Sequence, residues 1–176
     1  PQLSILNLTQ NAIYGNVAPN YDLSIEEGNL DKTWFCVDGR AEKNFIQSFS
    51  GQFDQDLWSG LSHGSHTFTF YANDSANNIG FDSIIVKKDN ISPDIFILDP
   101  LPMEVFGVEA LSYELSIEEP HLDTIWYILN ESTSNHFITE TSSVIDQEEW
   151  DLFESGNITL TFYANDTLGN LGFSEV

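Results

Sequence analysis

Residues 21–31, Tyr-Asp-Leu-Ser-Ile-Glu-Glu-Gly-Asn-Leu-Asp, return as Tyr-Glu-Leu-Ser-Ile-Glu-Glu-Pro-His-Leu-Asp at residues 113–123, 92 positions later. Thr69 to Asp74 returns at the same offset as Thr161 to Asp166, and Pro1, Trp34, Gln55 and Trp58 find mates in Pro93, Trp126, Gln147 and Trp150. No gap is needed between residues 1 and 84. A repeat of this period must be recognised first, because it limits the chain to a fold that one copy can complete by itself or with its neighbour. About ninety residues is enough for a domain with its own core. The sequence therefore divides into two copies, residues 1–91 and 92–176. Copy one continues through Ile84-Ile-Val-Lys-Lys88, which reads as a final strand, whereas the matching stretch of copy two would begin at Val176. The expectation is a piece of a longer tandem array, with the last strand of copy two cut short.

Strand signals dominate each copy. Tyr21, Leu23 and Ile25 alternate with Asp22, Ser24 and Glu26; Phe68, Phe70 and Ala72 alternate with Thr67, Thr69 and Tyr71. A period of two places one set on a buried face and the other outside. Gly, Asn, Asp and Pro clusters separate such runs, as turns require. About seven short strands per copy predict an all-β chain of two Ig-like Greek-key β-sandwiches. One short helix is expected in each, opened by Asp54 or Asp146, with Trp58 or Trp150 packed beneath it. The predicted core contains Trp34 and Trp126, as central strand tryptophans, with Trp58, Trp150, Phe70 and Phe162.

The segment Phe70-Tyr-Ala-Asn-Asp-Ser-Ala-Asn-Asn-Ile-Gly80 and its mate, residues 162–172, resemble the Ala-x-Asp-x-x-Gly-Asn hairpin of prokaryotic Ig-like repeats. The linker Asp89-Asn-Ile-Ser-Pro93 is similar to the acidic, Pro-ended linker of those repeats, and the whole chain is most similar to tandem Ig-like repeats of large archaeal cell-surface proteins. Copy one departs at Asn77, where the family has Gly. The resemblance implies an extracellular stalk, surface-layer or adhesive component, and no enzyme.

Charge narrows the partners. Lys plus Arg number 5 against 28 Asp plus Glu, a net charge of −23. Contacts with a nucleic-acid backbone or an anionic membrane surface would be repulsive. A single cysteine, Cys36, excludes an internal disulfide and a cysteine zinc site, and reads as a small buried hydrophobe. Copy two has no Lys or Arg after Lys88, so it cannot form a Lys–Asn isopeptide bond. Gly60-Leu-Ser-His-Gly64 matches a nucleophile elbow by letter, but that elbow needs a strand-to-helix turn and here a strand follows. His63 and His66, three apart on extended chain, point to opposite faces and are expected to be solvated. Asp54-x-Asp56 lacks the Gly and distal Glu of a calcium loop and reads as helix capping.

Two further patterns suggest modification and metal binding. Asn-x-Ser/Thr occurs at Asn7, Asn73, Asn90, Asn130, Asn157 and Asn165, six times where residue frequencies would give about 2.5, which marks candidate glycosylation sites of an exported protein. Asn73 and Asn165 also suit the hairpin as turn residues. Glu118, Glu119, Asp123 and Asp166 are expected near Asp89 at the domain junction, where calcium, favoured by oxygen-rich loops, would neutralise them. No other cofactor is called for. The function expected is a structural spacer of a multi-repeat surface protein, its partners being neighbouring Ig-like repeats. The rival readings are an adhesin or carbohydrate-binding module gripping surface glycans or another cell, and a non-catalytic spacer of a secreted hydrolase. A binding module would show solvent-facing aromatics, whereas the repeated aromatics here read as core.

Overall fold

A computed structural model describes residues 1–130 and 132–176. The chain is nearly all β and divides into two compact units, Pro1–Asn90 and Ile91–Val176.

Unit 1 runs β1 (Gln2–Ile5), β2 (Ile13–Tyr14), β3 (Asn20–Glu26), β4 (Leu30–Val37), β5 (Asn44–Phe45), β6 (Ser50–Gln52), α1 (Gln55–Ser59), β7 (Gly64–Asp74) and β8 (Ile79–Lys88). Two sheets form, in the orders β1-β3-β6 and β2-β8-β7-β4-β5. Neighbouring strands are antiparallel except β2, which joins β8 in parallel. Unit 2 repeats the plan with β9 (Asp94–Asp99), β10 (Ser112–Glu118), β11 (Leu122–Leu129), β12 (His136–Ile138), β13 (Ser142–Val144), α2 (Gln147–Trp150), β14 (Leu160–Asp166) and β15 (Leu171–Glu175). Its sheets are β13-β10-β9 and β12-β11-β14-β15. Both units are Ig-like sandwiches. The chain passes repeatedly between the two sheets of each unit, the Greek-key arrangement.

Each core lies between the two sheets, built by the inward half of every alternation. In unit 1, Tyr21 and Leu23 from one sheet meet Phe35, Val37, Phe68, Phe70 and Ala72 from the other, with the Phe53 ring tilted 36° to that of Phe68 at 4.3 Å between centroids. In unit 2, Tyr113 and Leu115 meet Tyr127, Leu129, Leu160, Phe162 and Ala164. The short helices close one end. Asp54 and Asp146 cap them by accepting the amides of Leu57 and Glu149. Trp58 and Trp150 drop into the cores, and their indole N–H groups donate to the Gly15 and Gly107 carbonyls. Gln55 and Gln147 each fasten the preceding loop at two backbone atoms: Gln55 accepts from Ala18 and donates to Asn16, while Gln147 accepts from Ala110 and donates to Val108.

At the other end sit the β7–β8 and β14–β15 hairpins. One carboxylate folds each: Asp74 accepts the amides of Ala76 and Asn78 and the Asn78 side chain, and Asp166 accepts those of Leu168 and Asn170 and the Asn170 side chain. The positive φ of Asn77 (65°) and of its mate Gly169 (85°) completes the turn. Asn is among the few side chains that tolerate that region, so Asn77 holds the turn as Gly169 does in unit 2.

Candidate functional site

The same alternation that fills the core leaves a row of rings on the outside of the larger sheet. Phe35 and Val37 of β4 face inward, so Trp34 between Phe35 and Thr33 faces out; Tyr71, between Phe70 and Ala72 on β7, does the same. Register then brings four aromatic positions into line: Phe45 pairs with Trp34, Trp34 with Tyr71, and Tyr71 with Phe81. Their rings touch in sequence at 6.2, 5.4 and 6.0 Å, the central pair stacked within 10° of parallel. Unit 2 repeats it. Phe137, Trp126, Tyr163 and Phe173 are paired across β12, β11, β14 and β15, with ring separations of 6.0, 5.3 and 5.9 Å and a central stack within 7°. Four strands at about 4.8 Å give a row roughly 14 Å long.

The outer rings are the wet ones. Phe45 and Phe81 are 58% and 66% exposed, and Phe137 and Phe173 are 67% and 64% exposed. Ile79 and Leu171, also exposed, extend the apolar surface by one residue along the edge strand. Trp34 is covered: the Lys43 ammonium stands 4.3 Å over its ring while Tyr71 stacks alongside. Asn135 occupies the Lys43 position in unit 2, and Trp126 is half-buried there. Such a face offers apolar ring edges and two protruding phenylalanines rather than an open indole plane. Exposed aromatic clusters of this kind mark contact surfaces, since a monomer gains nothing by holding them in water.

Sequence reasoning missed this row because it assigned both central tryptophans to the core. Trp34 is buried, at 5% exposed, and Trp126 half-buried, but both lie on the outer face, outside the inter-sheet clusters, whose residues at that level are Phe35 and Tyr127, one position on. Cys36, of the same parity as Trp34, is buried on the outer face. The cross-strand register, which aligns four rings, was the missing information. Trp58, Trp150, Phe70 and Phe162 do occupy the cores.

His66 is also placed differently from its expected solvated position. It is buried, with Nδ1 2.8 Å from the Asp38 carboxylate and Nε2 2.8 Å from the Ser62 carbonyl oxygen. Asp38 also accepts the Thr67 amide, and these hydrogen bonds outweigh burial to hold its carboxyl below the usual range. Exposed His63 lies 3.2 Å from Asp89. The Gly60–Gly64 segment runs into strand β7.

The carboxylates proposed for calcium have distinct local roles. Asp166 is buried and committed to its hairpin through three accepted hydrogen bonds. Glu119 accepts the His121 amide at 2.7 Å, and Asp123 accepts the Thr124 hydroxyl at 3.0 Å. Glu118 ends β10, exposed. Asp89 is buried in unit 1, its amide donating to the Tyr14 carbonyl. The Thr167 amide donates to the His121 carbonyl, so the β10–β11 loop and the β14–β15 hairpin share one end of unit 2.

Among the sequons, Asn7, Asn90, Asn130 and Asn157 are exposed and Asn165 is half-buried. Asn73 is buried, its amide nitrogen donating to the Asp31 carboxylate and the Asp74 carbonyl. A cleft of about 530 Å³ opens in unit 2 beside Tyr113, Tyr127, His136 and Asp146. Its phenols already serve the fold, since Tyr113 donates to the Glu140 carbonyl and Tyr127 accepts the Asp146 amide. Burial pushes both phenols above their ordinary pKa.

No family model matches the chain, and no curated protein matches it. Solved structures do. A Bacteroides ovatus mixed-linkage glucan utilization locus protein, SGBP-B, in complex with a mixed-linkage heptasaccharide, aligns over 100% of this chain and 47% of that one, at 11% identity and a TM-score of 0.36. The FN1–FN3 domains of chicken CNTN1 align over 95% of this chain and 67% of that one, at 9% identity and a TM-score of 0.36. The IG1+IG2 domains of DIP-gamma align over 100% and 96%, at 11% identity and a TM-score of 0.36. The chain thus spans about half the length of the glucan-locus protein. Neither function nor ligand follows from likenesses at this level.

Proposed function

We propose that this chain is a non-catalytic structural module of an extracellular, multi-repeat surface protein, and that the outer aromatic row of each unit is its contact face. The carrying observation is the repetition of that row: four aromatic positions, in the same register, exposed at both ends, in both units. A core residue repeats because a fold needs it; a row of solvent-facing phenylalanines has no such reason. The sequons and the acidic composition support exposure outside the cell, and the repeat supports a serial stalk or lattice. Among the described residues no helix is long and apolar enough to cross a membrane.

Ring geometry favours a protein partner over a glycan. Sugar recognition needs an aromatic plane open to the ligand; in unit 1 Trp34 lies beneath Lys43 with Tyr71 stacked alongside, and in unit 2, where Asn135 replaces Lys43, Tyr163 stacks on half-buried Trp126. The test compares the chain with a Phe81→Ser, Phe173→Ser double variant. Both positions are exposed, so melting should change little. The variant should lose self-association or capture of surface protein, while neither protein should be retarded in gels containing soluble glucans. Retardation of the parent by a glucan, lost in the variant, would replace the structural reading with the carbohydrate-binding one.

A further inference from the structure

We infer that copies of this chain associate heterologously, the aromatic row of unit 1 in one molecule packing on the aromatic row of unit 2 in another. This rests on the reading of the rows as contact faces and adds which face meets which. Shape permits any pairing, because both rows have the same register and nearly the same ring spacings. Two sheets laid face to face interdigitate side chains at about 10 Å separation, as they do inside a sandwich.

Charge selects the pairing. All five bases belong to unit 1, Lys87 and Lys88 among them in a stretch past the matched residues; over the matched residues 1–84 and 93–176 the acids number 10 and 17, the bases 3 and 0, and the net charges are −7 and −17. Three of those bases share the face of the unit 1 row. Lys43 stands on Trp34, Lys87 is exposed on β8 with the parity of Phe81, and Lys32 is exposed on β4 with the parity of Trp34. Asp31 lies 3.8 Å from the Lys32 ammonium and offsets it, which leaves Lys43 and Lys87 as the principal cations. Of the other two, Lys88 is buried and Arg40 lies beyond the end of β4. On unit 2 the counterparts of Lys32 and Lys43 are Thr124 and Asn135, and Glu175 stands on the edge strand with the parity of Phe173. Row 1 against row 1 would oppose lysines, and row 2 against row 2 would bring together two units of −17. Only row 1 against row 2 sets Lys43 and Lys87 beside a face that carries Glu175 and no base, so charge favours it over the symmetric pairings.

A heterologous contact closes where both rows of one molecule reach both rows of another, and propagates where they do not. Each face is only about 15 by 20 Å, in the size range of weak contacts, and strength comes from repetition along an array.

Sedimentation of the 176-residue chain up to about 1 mM, at physiological salt, tests this with Phe81→Asp and Phe173→Asp variants. The parent should associate as concentration rises. Each variant alone should be monomeric, and their equimolar mixture should form a heterodimer and nothing larger, because each supplies the face the other lacks. Adding Lys43→Glu and Lys87→Glu to the Phe173→Asp partner should weaken that heterodimer by about tenfold or more. Variants that each dimerise alone would overturn the heterologous pairing while preserving the faces. An unchanged heterodimer after the lysine reversals would overturn the charge argument. A parent that stays monomeric throughout would overturn both this pairing and self-contact at the rows.

Discussion

Single residues carry constraints that their local sequence hides. Gly172 looks like an ordinary strand glycine, yet a Cβ there would fall on the Pro93 carbonyl, where the chain enters unit 2. Gly172→Ala should destabilise that unit by about 1–3 kcal/mol, the cost of forcing packed backbone apart. Gly28→Ala, with nothing within 4 Å of the new methyl, should be neutral; equal melting of the two variants would contradict the close approach. The Asp74 carboxyl is held below its ordinary pKa by the Asn78 side chain, the Asn78 amide and the Ala76 amide. The folded hairpin therefore takes up a proton less readily than the unfolded chain. Its stabilisation is complete above the ordinary carboxylate range near about pH 4, and is lost as pH falls through the lowered value. Protection of the Ala76 and Asn78 amides, relative to their intrinsic exchange rate at each pH, should fall on acidification in the parent and respond less in Asp74→Asn. The buried amide of Asn73 leads to a further expectation: expression in a glycosylating host should leave Asn73 unmodified, with any glycans on Asn7, Asn90, Asn130 or Asn157. Mass spectrometry of peptides spanning Asn73 decides it.

At the scale of elements, α1 is too short to hold itself, and its C-terminal carbonyls need a donor. The donor comes from the far end of β8. Lys88 is 2% exposed, with its ammonium 2.7 Å from the Trp58 oxygen, 2.9 Å from that of Leu61 and 3.3 Å from that of Ser59, and 5.7 Å from the Trp58 ring. One side chain thus ties helix, turn and strand together. Replacing it by Met keeps much of the apolar stem but leaves those carbonyls without the ammonium. Lys88→Met should cost about 1.5–3 kcal/mol, as charge-assisted bonds do, whereas exposed Lys87→Met should stay within about 0.5 kcal/mol. Equal effects at the two neighbours would show that Lys88 does not act as the cap.

Across the whole chain, two cores share no residue. Phe70 and Phe162 sit at matched positions, each fully buried. Truncating either to Ala should cost about 3–5 kcal/mol. Hydrogen exchange should report the loss chiefly in residues 1–90 for Phe70→Ala and in 91–176 for Phe162→Ala; protection lost evenly over both would overturn the division into separate cores.

Much of this architecture was legible in the residue order. Alternation at Tyr21-Leu23-Ile25 and Phe68-Phe70-Ala72 marked strands because a pleated chain sends neighbours to opposite faces. Asp54 and Asp146 marked helix starts because their side chains can accept orphan amides, and the 92-residue offset marked two copies of one fold. Alternation does not say which of two apolar neighbours faces the core. In Thr33-Trp34-Phe35-Cys36-Val37 both parities hold large apolar groups, and only the packing of the second sheet made Phe35 and Val37 the inner pair and put Trp34 outside. The candidate site was illegible for the same reason. Its four members lie on four strands separated by loops and a helix, and strand register, set by the fold as a whole, made them neighbours. Long-range partners likewise set the states of His66, which reads in sequence as solvated, and of Lys88: Asp38 and Ser62 enclose the one, and the end of α1 takes up the other. Local sequence sets where the backbone alternates and turns; which face meets water depends on what lies across the sheet.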